Sequence, residues 1–198
     1  MQVFWDINQI EPQVDTALTI GTFDGVHRGH QTIIRELQDK AQEIGATPTL
    51  VTLEPHPRLV LSKDGTPPLR LLTTIEEKIE ALAHLGLDRL VVANFSHAFA
   101  ALSAADFVSE ILVKKLKMKQ IVIGHDHAFG RNRAGNIHLL QDMKGSHHFD
   151  VSVVDPIRTG DKVVSSTEIR NLLLQGEIEP ATQLLGRAYN LRGQVVKG

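Results

Sequence analysis

Between residues 17 and 154, short β-branched or apolar runs take turns with stretches whose apolar residues recur at helical spacing. ALTIGTF (residues 17–23) predicts a first strand, and Ile33, Ile34, Leu37, Ala41 and Ile44 mark one face of the helix after it. TPTLVTLE (47–54) predicts a second strand. Thr74 and Glu77 form a capping box for a helix whose apolar face is Ile75, Ile79, Leu82 and Leu85, with Gly86 just past its end. RLVVANF (89–95) is a third strand. Ser103 and Asp106 make a second capping box ahead of Phe107, Val108, Ile111, Leu112 and Leu116. KQIVIG (119–124) and DVSVV (150–154) are the fourth and fifth strands. Strands that alternate with helices build βαβ units. The expected fold is α/β: a mostly parallel five-stranded sheet, helices on both faces, right-handed crossovers.

Two stretches break the alternation. Residues 54–69 carry prolines at 55, 57, 67 and 68 and have no periodicity, which predicts a long, functional loop. At the C-terminus, helices over 167–174 and 180–185 are followed by NLRGQVVKG (190–198), which starts as a strand would but has no partner sequence to pair with, so it is expected to fray or to pack against the domain.

Composition narrows the chemistry. The 198 residues include no cysteine, so disulfides, thiolate metal sites, iron–sulfur clusters and a cysteine nucleophile are excluded. A net charge of −2 argues against a nucleic-acid partner. No apolar run approaches the roughly 18 residues that span a bilayer, and the first Lys or Arg is Arg28, so no membrane association is expected and a cytoplasmic protein is.

In open parallel sheets, ligands sit beyond the carboxyl ends of the strands. After the first strand comes GTFDGVHRGH (21–30), running into a helix. Gly25 and Gly29 allow close approach of backbone to a ligand. His27 and His30 lie three apart on one face of the first turn, beside the free N–H groups of a helix N-terminus. That combination suits a phosphate group. It is neither a Walker loop nor a GxGxxG turn. VSSTEIR (164–170) opens a second helix: Ser165 or Ser166 can cap it, Thr167 adds a hydroxyl, and Arg170 can reach the same anion. Alone, this segment reads equally as a well-capped helix; two such segments together can grip a triphosphate from two sides. After the fourth strand, GHDHAFGRNRAG (124–135) offers Asp126 for a ribose hydroxyl or a base amine, and Arg131 and Arg133 for phosphate. His125 and His127 form an HxH pair with no third ligand spaced to complete a metal site, so no protein metal site is expected. His147 and His148 read as a polar helix end. His56, between Pro55 and Pro57, is either a substrate contact or part of a stiff loop.

These residues resemble a known pattern. GTFDGVHRGH is similar to the HxGH motif of the nucleotidylyltransferase superfamily, and VSSTEIR to its ISSTxxR motif. The ordered set resembles one branch, the FMN adenylyltransferase module of the prokaryotic bifunctional FAD synthetase (riboflavin kinase/FMN adenylyltransferase) family. There a glycine–aromatic–Asp–Gly run precedes HxGH, as Gly21, Phe23, Asp24 and Gly25 do here. A PHP loop follows the second strand, matched by Pro55, His56 and Pro57. A GxD…FGxxRxG stretch is matched by Gly124, Asp126, Phe129, Gly130, Arg133 and Gly135, and an LGR-aromatic segment by Leu185, Gly186, Arg187 and Tyr189. The chain departs from the pattern at His127 and Ala128, where an aromatic and a basic residue are usual.

The resemblance implies a Rossmann-like nucleotidylyltransferase fold and the reaction of ATP with FMN to give FAD and pyrophosphate, with Mg²⁺ accompanying ATP. It implies catalytic roles for His27, His30 and Arg170, and nucleotide contacts from Gly21, Thr22, Phe23, Gly25, Gly29, Asp126, Ser165, Ser166 and Thr167. FMN contacts are implied for Asp24, Pro55, His56, Pro57, Arg131 and Arg133. Residues 1–187 would form the transferase domain. Residues 188–198 would be a linker or the truncated start of a riboflavin kinase barrel, so phosphorylation of riboflavin is not expected of this chain. Rival readings are a sister transferase acting on another phosphate such as phosphopantetheine or nicotinamide mononucleotide, a non-catalytic nucleotide-binding module, and a histidine-based metal hydrolase.

Overall fold

A computed structural model describes residues 1–10, 14–63 and 65–197. Its central sheet has six strands, all parallel: β1 (Gln2–Phe4), β2 (Thr16–Gly21), β3 (Thr47–Glu54), β4 (Arg89–Asn94), β5 (Met118–Gly124) and β6 (Asp150–Val154). Their order across the sheet is β1-β4-β3-β2-β5-β6. The chain thus builds outward from β2 through β3 to β4, then returns to the other side of β2 to lay down β5 and β6. The strand order reverses between β2 and β5, and a crevice opens at their carboxyl ends.

The expected five strands are a correct count of all but β1. That edge strand has three residues and pairs with β4 through Gln2, Val3 and Phe4. Phe4 packs partly against the core, with the Arg89 guanidinium 6.0 Å above its ring. Such a segment is too short to show a period.

Inner strands read as continuous apolar runs because both faces are covered. Leu18 and Ile20, Val51, Val91 and Ala93, and Ile121 and Ile123 face one layer. Ala17, Leu50, Leu90 and Val92, and Val122 face the other. The second layer is closed by α1 (Arg28–Ile44) and α3 (Ile75–His84), through Ile34, Leu37, Ala41 and Leu82. Helix α1 ends where Gly45 takes φ 65° and its N–H returns to Ala41 and Gln42. Both halves of the Thr74–Glu77 capping box are present. The first layer is closed by α5 (Ala104–Asp106), capped by Ser103 and running on as the π-helical segment Phe107–Lys115, and by α6 (Ile137–His147).

The loop expected over 54–69 contains a short helix, α2 (Pro57–Leu61), with Pro57 at its start. Another short helix, α4 (His97–Ala100), follows β4. A two-stranded hairpin of β7 (Arg158–Thr159) and β8 (Lys162–Val163) precedes α7 (Ser166–Leu174) and α8 (Ile178–Leu185). Helices α7 and α8 bury Ile169, Leu172, Ala181, Leu184 and Leu185 against Leu72 and Val164 in a third apolar cluster. Among the described residues, 190–197 form no strand, and Arg192 pairs with Glu80 on α3 at 3.2 Å. Residue 198 lies outside the described residues. Among the described residues, no helix is long and apolar enough to cross a membrane.

Candidate active site

The first predicted strand stops at Gly21, two residues early, because the backbone turns sharply beyond it. Phe23 (φ 47°), Gly25 (φ 83°) and Val26 (φ 41°) all take left-handed conformations. For Phe23 and Val26 this is costly. It is sustained by burial: the two side chains are 2% and 1% exposed, in the cluster around α1. Gly25 is required for a second reason. Its N–H donates to Thr73 Oγ1 at 3.1 Å, and a Cβ at this position would lie 2.8 Å from Leu72 Cδ1.

Asp24 is the anchor of the turn. Its carboxylate accepts from the Leu72 N–H (2.9 Å to Oδ1), the Thr73 N–H (3.1 Å) and the Thr73 hydroxyl (3.3 Å). Its other oxygen is paired with the Arg170 guanidinium. Arg170 Nε donates to the Arg70 carbonyl at 2.6 Å, and Ser166 Oγ donates to the Asp24 carbonyl at 2.9 Å. One buried carboxylate therefore clamps three segments that are remote in sequence: the turn after β2, residues 70–73, and the start of α7. Arg187 Nη2 adds a bond to the Gly25 carbonyl at 3.0 Å, so the LGR segment also holds the turn from outside.

On this clamped base stand two imidazoles. His27 is the N-cap of α1, and its Nδ1 accepts the His30 N–H at 3.4 Å. With Nδ1 an acceptor, the proton of the neutral ring sits on Nε2. The His27 and His30 rings stack with centroids 3.6 Å apart, and Phe23 lies 4.7 Å from His30. Gly29 permits this stack, since a Cβ there would lie 3.3 Å from the His27 ring. Burial pushes His27 down to about 4, against the pull of Asp24, and burial with the neighbouring His27 and Lys78 holds His30 well below the usual imidazole range. Both rings are neutral near pH 7. Among the described residues, His30 Nδ1 is buried with no hydrogen-bond partner. His56 caps α2, its Nδ1 accepting the Arg58 N–H at 3.1 Å, and burial pushes it to about 4.

Lys78 was not singled out from the sequence. It is 4% exposed, with Nζ 3.4 Å from Thr52 Oγ1, and burial lowers its pKa. Its position on the apolar stripe of α3, between Ile75 and Leu82, was the available signal.

Two connected hollows lie above these groups. A polar cleft of about 440 Å³ is lined by Gly21, Thr22, Phe23, His27, Gly29, His30, His56, Asp126, Arg133, Ser165, Ser166, Thr167 and Arg170. Most of the expected site residues thus converge from four loops and two helix starts. The hollow beside it, about 760 Å³, is largely apolar, walled by Phe95, Phe99, Phe107 and Phe129 with Leu61 and Leu102, and also takes in Pro57, Arg131 and Arg133. The two share Ile20, Gly21, Thr22, His56, Arg58, Asp126, His127 and Arg133.

Three expected contact residues take other places. Asp24 is 2% exposed with its carboxylate taken up by protein groups, so it organises the cleft rather than lining it. Gly25 and Pro55 line neither hollow. Arg170, expected to reach the same anion, lines the cleft but directs two N–H groups at Asp24 and the Arg70 carbonyl. Asp126 projects past β5, its side chain 85% exposed and its Oδ1 3.8 Å from His125 Nδ1. The capping hydroxyl of Ser165 accepts the Glu168 N–H at 3.2 Å. Among the described residues no three His, Cys, Asp or Glu side chains gather as metal ligands.

An all-parallel sheet with a histidine-bearing turn and a Ser-Ser-Thr helix start meeting at its switch point is the α/β arrangement that the resemblance to the nucleotidylyltransferase superfamily implies. Consistent with this, the chain superposes on a pantoate–β-alanine ligase from Francisella tularensis with a TM-score of 0.53 at 15% identity, over 94% of this chain and 85% of the other. It superposes on a Streptococcus pneumoniae structure titled as a macrolide-efflux protein with a TM-score of 0.83 at 28% identity, over 99% of this chain and 64% of that one.

Residues 9–168 match the family model for FAD synthetase, and the chain belongs to that family. It is 36% identical to the bifunctional riboflavin kinase/FMN adenylyltransferase of Escherichia coli (strain K12), over 94% of this chain and 59% of the relative. Identity is 37% to the Buchnera aphidicola (subsp. Schizaphis graminum) protein of the same name, over 93% and 59%, and 35% to that of Listeria monocytogenes, over 93% and 58%. The chain therefore spans about three fifths of the length of these relatives.

Proposed function

We propose that this chain transfers the adenylyl group of ATP to FMN, forming FAD and releasing pyrophosphate. The observation that carries the reading is the pairing of a polar cleft holding two neutral histidines with an aromatic-walled hollow opening beside it. The first suits the phosphates and ribose of ATP; the second suits a flat, apolar ring system whose phosphate must reach into the first. Neither phosphopantetheine nor nicotinamide mononucleotide presents a fused aromatic ring system to fill such a hollow.

In this reading an FMN phosphate oxygen attacks the α-phosphorus of ATP in line, the bond from that phosphorus to the bridging oxygen breaks, and the electron pair leaves with pyrophosphate. No protein atom becomes covalently attached. Catalysis is positioning and charge stabilisation. His27 donates from Nε2, and His30 from the ring nitrogen that carries its proton, to oxygens that gain charge as the leaving bond stretches. The first N–H groups of α7 and the Thr167 hydroxyl receive the β- and γ-phosphates. Arg170 adds its remaining N–H groups, held in place by Asp24. Gly29 leaves room for adenine against the backbone, and Asp126 takes a ribose hydroxyl or the base amine. Arg131 and Arg133 meet the flavin phosphate, while His56 and Pro57 border the flavin. Mg²⁺ enters as part of the ATP substrate, as an ion that keeps much of its water and requires no dedicated protein cage. Residues 1–187 carry the activity, which belongs in the cytoplasm where ATP and FMN meet.

The test is a comparison of acceptors. With Mg²⁺ and ATP, the chain should form product with FMN faster than with phosphopantetheine or nicotinamide mononucleotide. A faster reaction with either of the others overturns the flavin assignment, and ATP binding with no pyrophosphate release from any of the three overturns the transferase itself.

A further inference from the structure

Lys78 is a buried cation with no task in the chemistry proposed above. It lies on the apolar face of α3 and is almost wholly enclosed. Taking an ammonium out of water costs free energy that an apolar residue at the same place would not. Burial lowers its pKa, while the carboxylates of Glu54 and Asp24 favour the charged form. Its Nζ donates to Thr52 Oγ1 at 3.4 Å, and Thr52, fully buried on β3, donates in turn to the Thr22 carbonyl at 3.2 Å. Chemistry fixes the direction of this relay. An ammonium has three donors and no acceptor, whereas a hydroxyl has one proton. With Lys78 as donor, Oγ1 must accept, and its single proton is left for the Thr22 carbonyl.

Thr52 stands opposite Gly21 on the last rung of the β2–β3 ladder. The relay therefore carries the ladder one carbonyl further, past the end of β2, to the residue that opens the strained turn. Thr22 borders both hollows, and the turn runs on through Phe23 at φ 47° to His27. Asp24 clamps the far side of the same turn to residues 72 and 73 and to Arg170. We propose that Lys78 is a positioning residue: through Thr52 it fixes the Thr22 carbonyl, and with it the wall against which ATP and its acceptor are aligned ahead of His27 and His30. This role rests on the reading of the site as an FMN adenylyltransferase. Lys78 touches neither substrate, so its loss misaligns bound reactants rather than preventing their binding.

The experiment measures FAD formation from ATP, FMN and Mg²⁺, together with Tm, in wild type, Lys78→Met, Thr52→Val and the double variant. Met keeps the length of the side chain without a donor, and Val keeps the branching of Thr without the hydroxyl. Each single variant should lower kcat by roughly tenfold or more, the effect of a small misalignment, with KM for ATP and for FMN moving by less than about threefold. Because the relay acts as one unit, the double variant should be no slower than the slower single one. Tm should not fall in Lys78→Met, where an apolar residue replaces a buried charge. A lowered Tm with unchanged kcat for the folded protein makes Lys78 merely structural and overturns the proposal. So does wild-type kcat in either single variant, or losses that multiply in the double one. NMR of a labelled Thr22 carbonyl reads the relay without turnover: its resonance should shift in both single variants, and an unmoved resonance in Lys78→Met overturns the proposal. If wild type forms no FAD at all, the functional reading falls and the positioning role with it; if it forms FAD and the variants match it, only this inference falls.

Discussion

At the scale of single residues, the site depends on groups that burial has deprived of alternatives. His27 and His30 are neutral donors fixed by a cap and a ring stack. Removing one preorganised donor of this kind lowers kcat by roughly 10²–10³. His27→Ala and His30→Ala should each show that loss, with a smaller rise in KM for ATP, in a pyrophosphate-release assay; wild-type turnover in either variant removes the histidines from the chemistry. Asp24 and Arg170 behave differently. Breaking a buried ion pair by neutralising one partner costs about 3–5 kcal/mol. Asp24→Asn should therefore lower the midpoint of thermal denaturation sharply. Arg170→Lys, which cannot reach Asp24 and the Arg70 carbonyl together, should lose stability as well as affinity for ATP. An unchanged Tm in Arg170→Lys would return Arg170 to a purely ligand-facing role.

The histidines also set a pH dependence. His27 is pushed from about 6.5 when unfolded to about 4 when folded. Between these values the unfolded chain binds the proton and the folded chain does not. Stability from this group is complete above 6.5 and declines as the pH falls toward 4, by on the order of 3 kcal/mol. His56 and His127 shift in the same direction over the same window. Denaturant midpoints measured from pH 7 to pH 4 should fall throughout, and His27→Asn should flatten part of the slope; a midpoint constant over that range contradicts the burial.

Among elements, the turn after β2 is the most constrained. Gly25→Ala places a methyl group 2.8 Å from Leu72 on a backbone at φ 83°. Strain and displacement of Leu72, whose N–H bonds Asp24, should together reduce stability and activity, read by Tm and by FAD formation in the same preparation. Most elements were legible because their signals are local. A buried parallel strand announces itself as an apolar β-branched run, and a capping box lies within four residues. What escaped is held by distant partners. β1 is held by its pairing with β4, and its three residues are too few to show a period. Asp24 was read as a ligand contact because its partner Arg170 lies 146 residues away, and no local pattern links them. His27 and His30 were legible as a pair, but not the cap that makes one ring's nitrogen an acceptor.

For the whole molecule, the sheet topology makes the site. Reversal of strand order between β2 and β5 places the histidine turn, the loop after β5 and the start of α7 around one crevice. The aromatic hollow next to it comes from the opposite layer, where α4 and the π-helical segment contribute Phe99 and Phe107. Under the proposed reading, the cleft would take the nucleotide and the hollow its acceptor, on adjoining sides of one switch point. The most direct measurement follows each phosphate of ATP with FMN present, using ATP labelled separately at the α- and γ-phosphorus. Adenylyl transfer puts the α label in FAD and the γ label in pyrophosphate. Label from the γ position on flavin or in inorganic phosphate, with none from the α position in FAD, would contradict it.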